Sequence, residues 1–173
     1  MKEQPRLILA GLSGGSGKSI LTFGLCRYWK QQGFRVKPFK KGPDYIDAAW
    51  MSRSAREEST NLDPFLMSAT TVSQLFQSKL EGFDLALIEG NRGLFDGLDI
   101  QGTSSTAELA KLLRTPVVLV IDCTKMTHTV AALVRGCCDL DRDVHVAGVV
   151  FNRTAGNRHR KILRNSVEYY TDV

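Results

Sequence analysis

Residues 11–19 read Gly-Leu-Ser-Gly-Gly-Ser-Gly-Lys-Ser, with a short apolar run directly before them and an amphipathic pattern directly after them. The apolar run is Arg6–Ala10 and predicts a strand, and the amphipathic pattern covers Lys18–Gln32 and predicts a helix. Glycines let backbone N–H groups turn onto phosphate oxygens, and a helix N-terminus adds about half a positive charge. The stretch therefore predicts a strand, a phosphate-binding loop of the Walker A kind and a helix.

The chemistry of such a loop predicts a role for each of its residues. Lys18 reaches the β- and γ-phosphates, and the Ser19 hydroxyl ligates Mg²⁺. Contacts to the nucleotide are predicted for Ser13, Gly14, Gly15, Ser16, Gly17, Lys18 and Ser19. The spacing departs from the common pattern, which has a glycine where this chain has Leu12. ATP and Mg²⁺ are the expected ligands.

Outward from the loop, short β-branched runs alternate with longer amphipathic stretches, which is typical of βαβ units around a parallel sheet. The five predicted strands are Arg6–Ala10, Arg35–Phe39, Asp84–Ile88, Val117–Ile121 and Val144–Phe151. The predicted helices are Lys18–Gln32, Thr71–Leu80, Ser105–Leu113, Thr127–Cys137 and Asn157–Tyr170. The segment from Lys40 to Met67 shows no such rhythm and is expected to be a long functional connection. We predict an α/β fold: a P-loop NTPase-like parallel sheet with helices on both faces.

Length and composition narrow the possible classes of protein. With 173 residues, 43% hydrophobic and 24% charged, the chain is expected to form one domain over residues 1–173. Its longest apolar stretch is too short to span a membrane, and its N-terminus lacks the apolar core of a signal peptide, so no membrane partner and a cytoplasmic location are expected. The net charge of +5 permits phosphate or carboxylate ligands but is too small to indicate nucleic acid. Buried thiols, rather than disulfides or zinc ligands, are predicted for Cys26, Cys123, Cys137 and Cys138.

Acidic and basic residues follow the second and third predicted strands. Lys40, Lys41, Asp44 and Asp47 come after one strand, and Glu89 and Asp96 come after the next. Ligands of open α/β sheets bind at this carboxyl edge. Because Mg²⁺ is usually held by one or two carboxylates with phosphate oxygens, the predicted metal ligands are Ser19, Asp47 and Glu89. Helix caps and solvated loop charges are the alternative interpretation of these carboxylates.

Several strings resemble the cobyrinic acid a,c-diamide synthase family of corrin-pathway amide ligases. They are Gly42–Asp47 (Gly-Pro-Asp-Tyr-Ile-Asp), Asn61–Asp63, Glu89-Gly90 with Leu94–Gly97, Ser105–Glu108 and Gly148–Arg153. The resemblance implies that ATP phosphorylates side-chain carboxylates a and c of a corrin or related tetrapyrrole, and that ammonia then displaces the phosphate. Relatives that act on nickel-sirohydrochlorin share the strings, so the macrocycle stays open.

The resemblance also implies site residues and partners. Lys18, Lys40, Asp44, Asp47 and Asp96 become the catalytic candidates, with Lys41 as an alternative to Lys40 at the phosphoryl group. Asn152 resembles the family's adenine-reading asparagine, and Arg153 beside it joins the nucleotide site. The family carries a C-terminal class I glutaminase domain, which this stretch of sequence does not contain. Ammonia is therefore expected from a glutaminase domain or subunit, and a homodimer is possible.

One further departure from the family pattern and two alternative functions remain. Asn91-Arg92 stands where the family would have a small or apolar pair. The loop spacing also resembles dethiobiotin synthetase, a related ligase. It resembles as well the deviant Walker A loops of switch ATPases that bind protein partners. Those ATPases carry a signature lysine where this chain has Ser13, and the Gly42–Asp47 string favours the amidating ligase over both.

Overall fold

The β-branched runs form strands and the amphipathic stretches form helices, in the alternation that the sequence predicts. The computed structural model describes residues 4–173. In that range the strands are β1 (Arg6–Gly11), β2 (Val36–Lys41), β3 (Thr60–Leu62), β4 (Leu85–Gly93), β5 (Val117–Asp122) and β6 (Val146–Asn152). The helices are α1 (Lys18–Gln31), α2 (Tyr45–Ala55), α3 (Ala69–Leu80), α4 (Thr106–Leu112), α5 (Thr129–Leu140) and α6 (Asn157–Tyr170).

The six strands form one parallel sheet in the order β3-β2-β4-β1-β5-β6. Strand β4 lies between β1 and β2, so that Glu89 is in register with Leu9 on one side and Lys40 on the other. The loops that follow these three strands therefore meet at one edge of the sheet. This edge carries most of the residues that the sequence predicts to be functional.

Each face of the sheet packs against its own helices. Along β1, Ile8 belongs to the larger hydrophobic core, while the next residue, Leu9, belongs to a smaller core on the opposite face. The larger core includes Phe39 and Phe76, whose rings lie 4.9 Å apart, and the smaller one includes Cys26 of α1. Helices on both faces confirm the predicted fold class.

The prediction of an irregular connection from Lys40 to Met67 is wrong, because this segment contains α2 and β3. The Asp44 side chain caps α2 by accepting hydrogen bonds from the backbone N–H groups of Ile46 (2.9 Å) and Asp47 (3.1 Å). Strand β3 adds a sixth strand to the five predicted. Its three residues pair with the end of β2 and so form one border of the sheet.

The cysteines and the lengths of the helices were also subjects of the sequence predictions. Cys26, Cys123 and Cys137 are buried free thiols, as predicted, while Cys138 is half-buried. No helix within residues 4–173 is both long enough and apolar enough to cross a bilayer.

Candidate active site

The loop between β1 and α1 is bent by left-handed backbone at Gly15 (φ 75°) and Gly17 (φ 96°), a conformation that favours glycine. Three loop carbonyls accept hydrogen bonds from side chains at least five residues away. The donors are Lys18 to Ser13 (3.1 Å), Asn152 to Ser16 (2.9 Å) and Arg153 to Gly15 (3.2 Å). Within the described chain, the backbone N–H groups of residues 14–19 donate no hydrogen bond. They are free to bind phosphate oxygens, and that binding stays a prediction.

Lys18 lies at the centre of this loop and is only 7% exposed. Its ammonium donates to the carbonyl of Ser13 and to that of Arg92 at 3.0 Å. Burial lowers the pKa of Lys18, and the nearby negative charge of Glu89 opposes that shift. The lysine that is predicted to contact phosphate is thus held between the loop and the end of β4, with backbone carbonyls as its partners.

The three predicted metal ligands come together beside the loop. The Ser19 hydroxyl lies 2.6 Å from Glu89 Oε1 and 3.2 Å from Asp47 Oδ2. Glu89 is 1% exposed, and its second oxygen, Oε2, is buried without a hydrogen-bond partner. Burial raises the pKa of the Glu89 carboxyl, while the positive charge of Lys40 opposes this.

This donor set fits a magnesium ion that is shared with a nucleotide. An unpartnered carboxylate oxygen, a second carboxylate and a serine hydroxyl are hard oxygen ligands, and Mg²⁺ takes few of them from the protein when phosphates supply the rest. No group of three or more carboxylate, imidazole or thiolate ligands occurs within residues 4–173. A nucleotide-assisted site therefore suits this geometry better than a cage made only of protein ligands.

Lys40 places its ammonium between the two carboxylates. Its Nζ lies 3.5 Å from Asp47 Oδ2, 3.5 Å from Glu89 Oε1 and 4.0 Å from Asp44 Oδ2. It also donates to the Gly90 carbonyl at 3.3 Å. The side chain is almost fully buried, so these ion pairs are weakly screened by solvent. Lys40 offsets part of the negative charge of Glu89 and Asp47 in the protein without ligand.

The remaining two catalytic candidates are engaged with backbone. Asp44 caps α2, as described above, and Asp96 Oδ2 accepts a hydrogen bond from the Gly93 N–H at 2.9 Å. Both contacts match the alternative interpretation of helix caps and loop carboxylates. A direct catalytic role for Asp44 or Asp96 stays a prediction.

Asn152 and Arg153, at the end of β6, contact the phosphate loop. The Asn152 amide nitrogen donates to Ser16, and its oxygen accepts from the Arg153 backbone N–H at 2.9 Å. A Cβ at Gly17 would lie 2.3 Å from this amide nitrogen, so the contact also requires glycine there. Adenine recognition by Asn152 stays a prediction, and the structure adds that this residue supports the loop.

Two residues with contacts in the site, Asp122 and Arg92, have no role predicted from the sequence. Asp122, the last residue of β5, accepts a 2.5 Å hydrogen bond from the Arg153 guanidinium and so positions it against the loop. The carbonyl of Arg92 is the second partner of Lys18. A carboxylate at the end of a buried strand was a usable signal for Asp122, whereas a backbone contact to Lys18 leaves no mark in the sequence.

The family model CbiA, described as the CobQ/CobB/MinD/ParA nucleotide binding domain, matches residues 7–172. The match covers the phosphate loop, the carboxylate cluster and the end of β6.

Similar curated proteins carry one kind of name. The chain is 41% identical over 169 residues to cobyrinate a,c-diamide synthase of Magnetococcus marinus and 41% identical over 170 residues to that of Listeria monocytogenes serotype 4b. It is 42% identical over 165 residues to hydrogenobyrinate a,c-diamide synthase of Streptomyces coelicolor. These alignments cover 98%, 97% and 95% of this chain but only 36%, 38% and 34% of the relatives. The chain thus spans little more than a third of their length.

Solved structures resemble the fold at low sequence identity. The signal recognition particle 54 kDa protein of Aeropyrum pernix, in complex with GDP, has a TM-score of 0.65 at 14% identity over 99% of this chain and 41% of its own. The hydrogenase maturation factor HypB of Archaeoglobus fulgidus has a TM-score of 0.57 at 13% identity over 97% of this chain and 77% of its own. These likenesses show the P-loop NTPase fold alone.

Proposed function

Because the chain belongs to the CobQ/CobB/MinD/ParA nucleotide-binding domain family, we propose that residues 1–173 are the ATP-binding synthetase domain of an enzyme that amidates carboxylates a and c of a corrin precursor. The observation that carries the proposal is the cluster of Ser19, Lys40, Asp47 and Glu89 beside a phosphate loop whose N–H groups are free. The names of relatives at 41% to 42% identity support a corrin acceptor.

ATP·Mg²⁺ would bind with its phosphates on the loop. Ser19, Glu89 and Asp47 would hold the Mg²⁺, which neutralises charge on the β- and γ-phosphates when bound. Lys18 would leave its carbonyl partners for the γ-phosphate, and Lys40 would leave the carboxylates for the same group. Lys18 would exchange neutral carbonyls, and Lys40 would exchange carboxylates that Mg²⁺ then neutralises, for the charged oxygens of the transferring phosphoryl group.

The reaction would consist of two transfers. In the first transfer, a carboxylate oxygen of the acceptor attacks the γ-phosphorus, and the bond from that phosphorus to the β-phosphate oxygen breaks. ADP is released, and the acceptor becomes an acyl phosphate. Ammonia then attacks the acyl carbon, inorganic phosphate leaves, and the nitrogen loses a proton to give the amide. Because the attacking oxygen is already ionised, catalysis depends on positioning and charge neutralisation, which a cluster of two lysines and two carboxylates can supply.

The ammonia would come from a glutaminase domain or subunit. Class I glutaminases need a cysteine thiolate with a histidine beside it. Burial raises the pKa of Cys26 to about 12 and the pKa values of Cys123 and Cys137 to about 11. Such thiols are poor nucleophiles near neutral pH. A cytoplasmic location and a homodimer remain predictions.

Calorimetric titration of the chain with ATP·Mg²⁺ tests the nucleotide site. We expect Lys18→Ala to weaken binding or turnover by about 100-fold or more, by analogy with the loss of one preorganised transition-state donor. Lys30→Ala, in the last turn of the same helix, is the matched control and should bind as the unaltered chain does. Equal affinity in Lys18→Ala would refute the proposed site.

A second measurement tests the acceptor. With ammonium chloride and cobyrinic acid present, ADP release should depend on both ATP and the corrinoid. ATP hydrolysis at the same rate without an acceptor would instead indicate the switch ATPase.

A further inference from the structure

Lys41 is a buried cation without a direct partner. It is 8% exposed, and within the described chain its ammonium forms neither a hydrogen bond nor an ion pair within 4.0 Å. Burying an ammonium without a partner destabilises a fold, because the lost hydration is not replaced. A residue kept in this state at the carboxyl edge of the sheet is suited to bind an anion.

The strand geometry separates Lys41 from the metal cluster. Successive side chains of β2 point to opposite faces of the sheet, so Lys41 lies on the other face from Lys40. Lys40 faces Ser19, Asp47 and Glu89, whereas Lys41 follows Phe39 on the face of the larger core. Among the surrounding charges, that of Asp63 has the largest effect on the pKa of Lys41, which it raises. Asp63 follows β3 and is itself buried.

Arg92 provides a second cation beside Lys41. Its backbone is left-handed (φ 52°), which is uncommon for a residue other than glycine, and its side chain is exposed. The chain next to Lys41 contacts the chain next to Arg92, since a Cβ on Gly42 would lie 3.4 Å from the Asn91 amide nitrogen. The positive charge of Arg92 contributes to a lowered pKa for Lys41, although burial is the larger cause.

The backbone of Arg92 lies close to the residue that is proposed to contact the γ-phosphate, so Lys41 and Arg92 lie near the phosphoryl group. The Arg92 carbonyl accepts the hydrogen bond from Lys18 at 3.0 Å, and Lys18 is the residue that contacts the γ-phosphate in the proposed function. An anion held by Lys41 and the Arg92 side chain would therefore lie next to the phosphoryl group on the side away from Lys40.

We propose that Lys41 and Arg92 bind the acceptor carboxylate that the γ-phosphate attaches to. This assignment rests on the proposed function and adds the residues that hold the acceptor. Two cations and the Asp63 carboxylate leave one net positive charge, which matches a single carboxylate rather than a phosphate. The phosphates already have the loop N–H groups, Lys18 and Lys40.

The surroundings suit an acceptor that carries carboxylates on an apolar ring. The loops after β3 and β4 flank the end of β2, because these strands are its neighbours in the sheet. Each loop exposes large apolar side chains: Phe65 (66%), Leu66 (68%), Leu98 (61%) and Ile100 (97%). Exposed apolar side chains on both sides of a buried cation could contact the rings while Lys41 binds one carboxylate.

Equilibrium dialysis of the chain against cobyrinic acid, detected by its absorbance and with ADP·Mg²⁺ present, tests the site. Lys41→Met removes the charge with little change in volume, and Arg92→Gln removes the second charge. We expect affinity for cobyrinic acid to fall about 10- to 100-fold for Lys41→Met and at least about 3-fold for Arg92→Gln. Arg114→Gln is the control, since Arg114 is also exposed and left-handed (φ 48°) but precedes β5 at the opposite edge.

Three further readouts make the result decisive. The heptamethyl ester of cobyrinic acid, which lacks the carboxylates, should bind the unaltered chain and Lys41→Met equally. A Lys41→Met variant that loses affinity for ATP but not for ADP would place Lys41 at the γ-phosphate and overturn the assignment. Because Arg92 is exposed, Arg92→Gln is expected to fold, and unchanged corrinoid affinity in it would also overturn the assignment.

The outcome separates this site from the proposed function. If the unaltered chain binds ATP·Mg²⁺ but not cobyrinic acid, the corrin acceptor is wrong and this site is overturned with it. If the unaltered chain binds cobyrinic acid and both variants bind it equally well, only Lys41 and Arg92 are wrong.

Discussion

Glu89 is the residue on which the proposed metal site depends most. Its Oε1 accepts from Ser19, while its Oε2 is buried and without a partner. Leaving a buried carboxylate oxygen unsatisfied destabilises the chain without ligand, and a cation beside it would remove that penalty. The raised pKa of Glu89 has the same origin, since burial disfavours its ionised form.

We therefore expect Glu89→Gln to raise the Mg²⁺ concentration needed for half-maximal ATP binding by about 10-fold, because a neutral amide is a weaker magnesium ligand than a carboxylate. Titrating Mg²⁺ at fixed ATP measures this concentration. Glu81→Gln, an exposed position at the end of α3, is the control. An unchanged Mg²⁺ requirement, with the fold intact by circular dichroism, would contradict the role of Glu89 as a ligand.

Among the elements, α2 connects the end of β2 to the proposed metal ligands Ser19, Asp47 and Glu89. Its N-cap, Asp44, fixes where the helix begins, and Asp47 in its first turn reaches Ser19. The position of Asp44 at the N-cap and the position of Asp47, the predicted metal ligand, are therefore coupled through one helical turn. The exposed first-turn side chains Tyr45 and Ile46 leave little packing to hold this end of the helix in place.

Asp44→Ala should lower the free energy of unfolding by about 1 kcal/mol, whereas Asp44→Asn should lower it by only a few tenths, since asparagine also caps helices well. Urea denaturation measures both values, and Ser68→Ala at the N-cap of α3 provides a comparison. Equal stability of the alanine and asparagine variants would show that the cap contributes little. Slower amidation by Asp44→Asn at unchanged stability would support the catalytic role predicted from the sequence.

At the scale of the whole molecule, the described chain holds a nucleotide site but no activated thiol. Three of its cysteines lie in helices α1 and α5, and Cys123 directly follows β5. Burial raises the pKa of each of the four thiols. A thiol whose pKa is raised stays protonated until the pH approaches that value. A thiolate that could attack glutamine is therefore scarce near neutral pH.

We expect the purified chain to release no glutamate from glutamine between pH 7 and pH 9, and to use free ammonium for any amidation. Glutamate release is measured with and without ATP. Activity that survives each single cysteine-to-alanine change would identify a contaminating enzyme. Activity abolished by one of these changes would contradict the prediction.

The sequence predicted the contacts that depend on residue type and local spacing, and it missed those that depend on distant partners. The sequence predicted one metal site from Ser19, Asp47 and Glu89. The Walker A pattern indicated Ser19, and apolar strand patterns precede the two carboxylates. Helix α2 was missed because its buried side chains are few, namely Ala48, Met51 and Ala55, and β3 because it has three residues.

Distant contacts had no such pattern. The hydrogen bond from Asn152 to Ser16 joins residues 136 positions apart, and its existence follows only from the place of β6 in the sheet. The choice between Lys40 and Lys41 likewise depended on strand register. Alternation along β2 was visible in the sequence, but which face carried the cluster was not.

The three side-chain donors on the phosphate loop have a consequence for the speed of nucleotide capture. Because Lys18, Asn152 and Arg153 already hold its carbonyls, the empty loop has its bent backbone before any phosphate arrives. The entropy of ordering this segment is lost during folding and not during association. Only side chains such as Lys18 must change partner on binding, and a side-chain rotation is a smaller and faster motion than the rearrangement of a loop. Encounter by diffusion, rather than rearrangement of the loop, should therefore set the association rate.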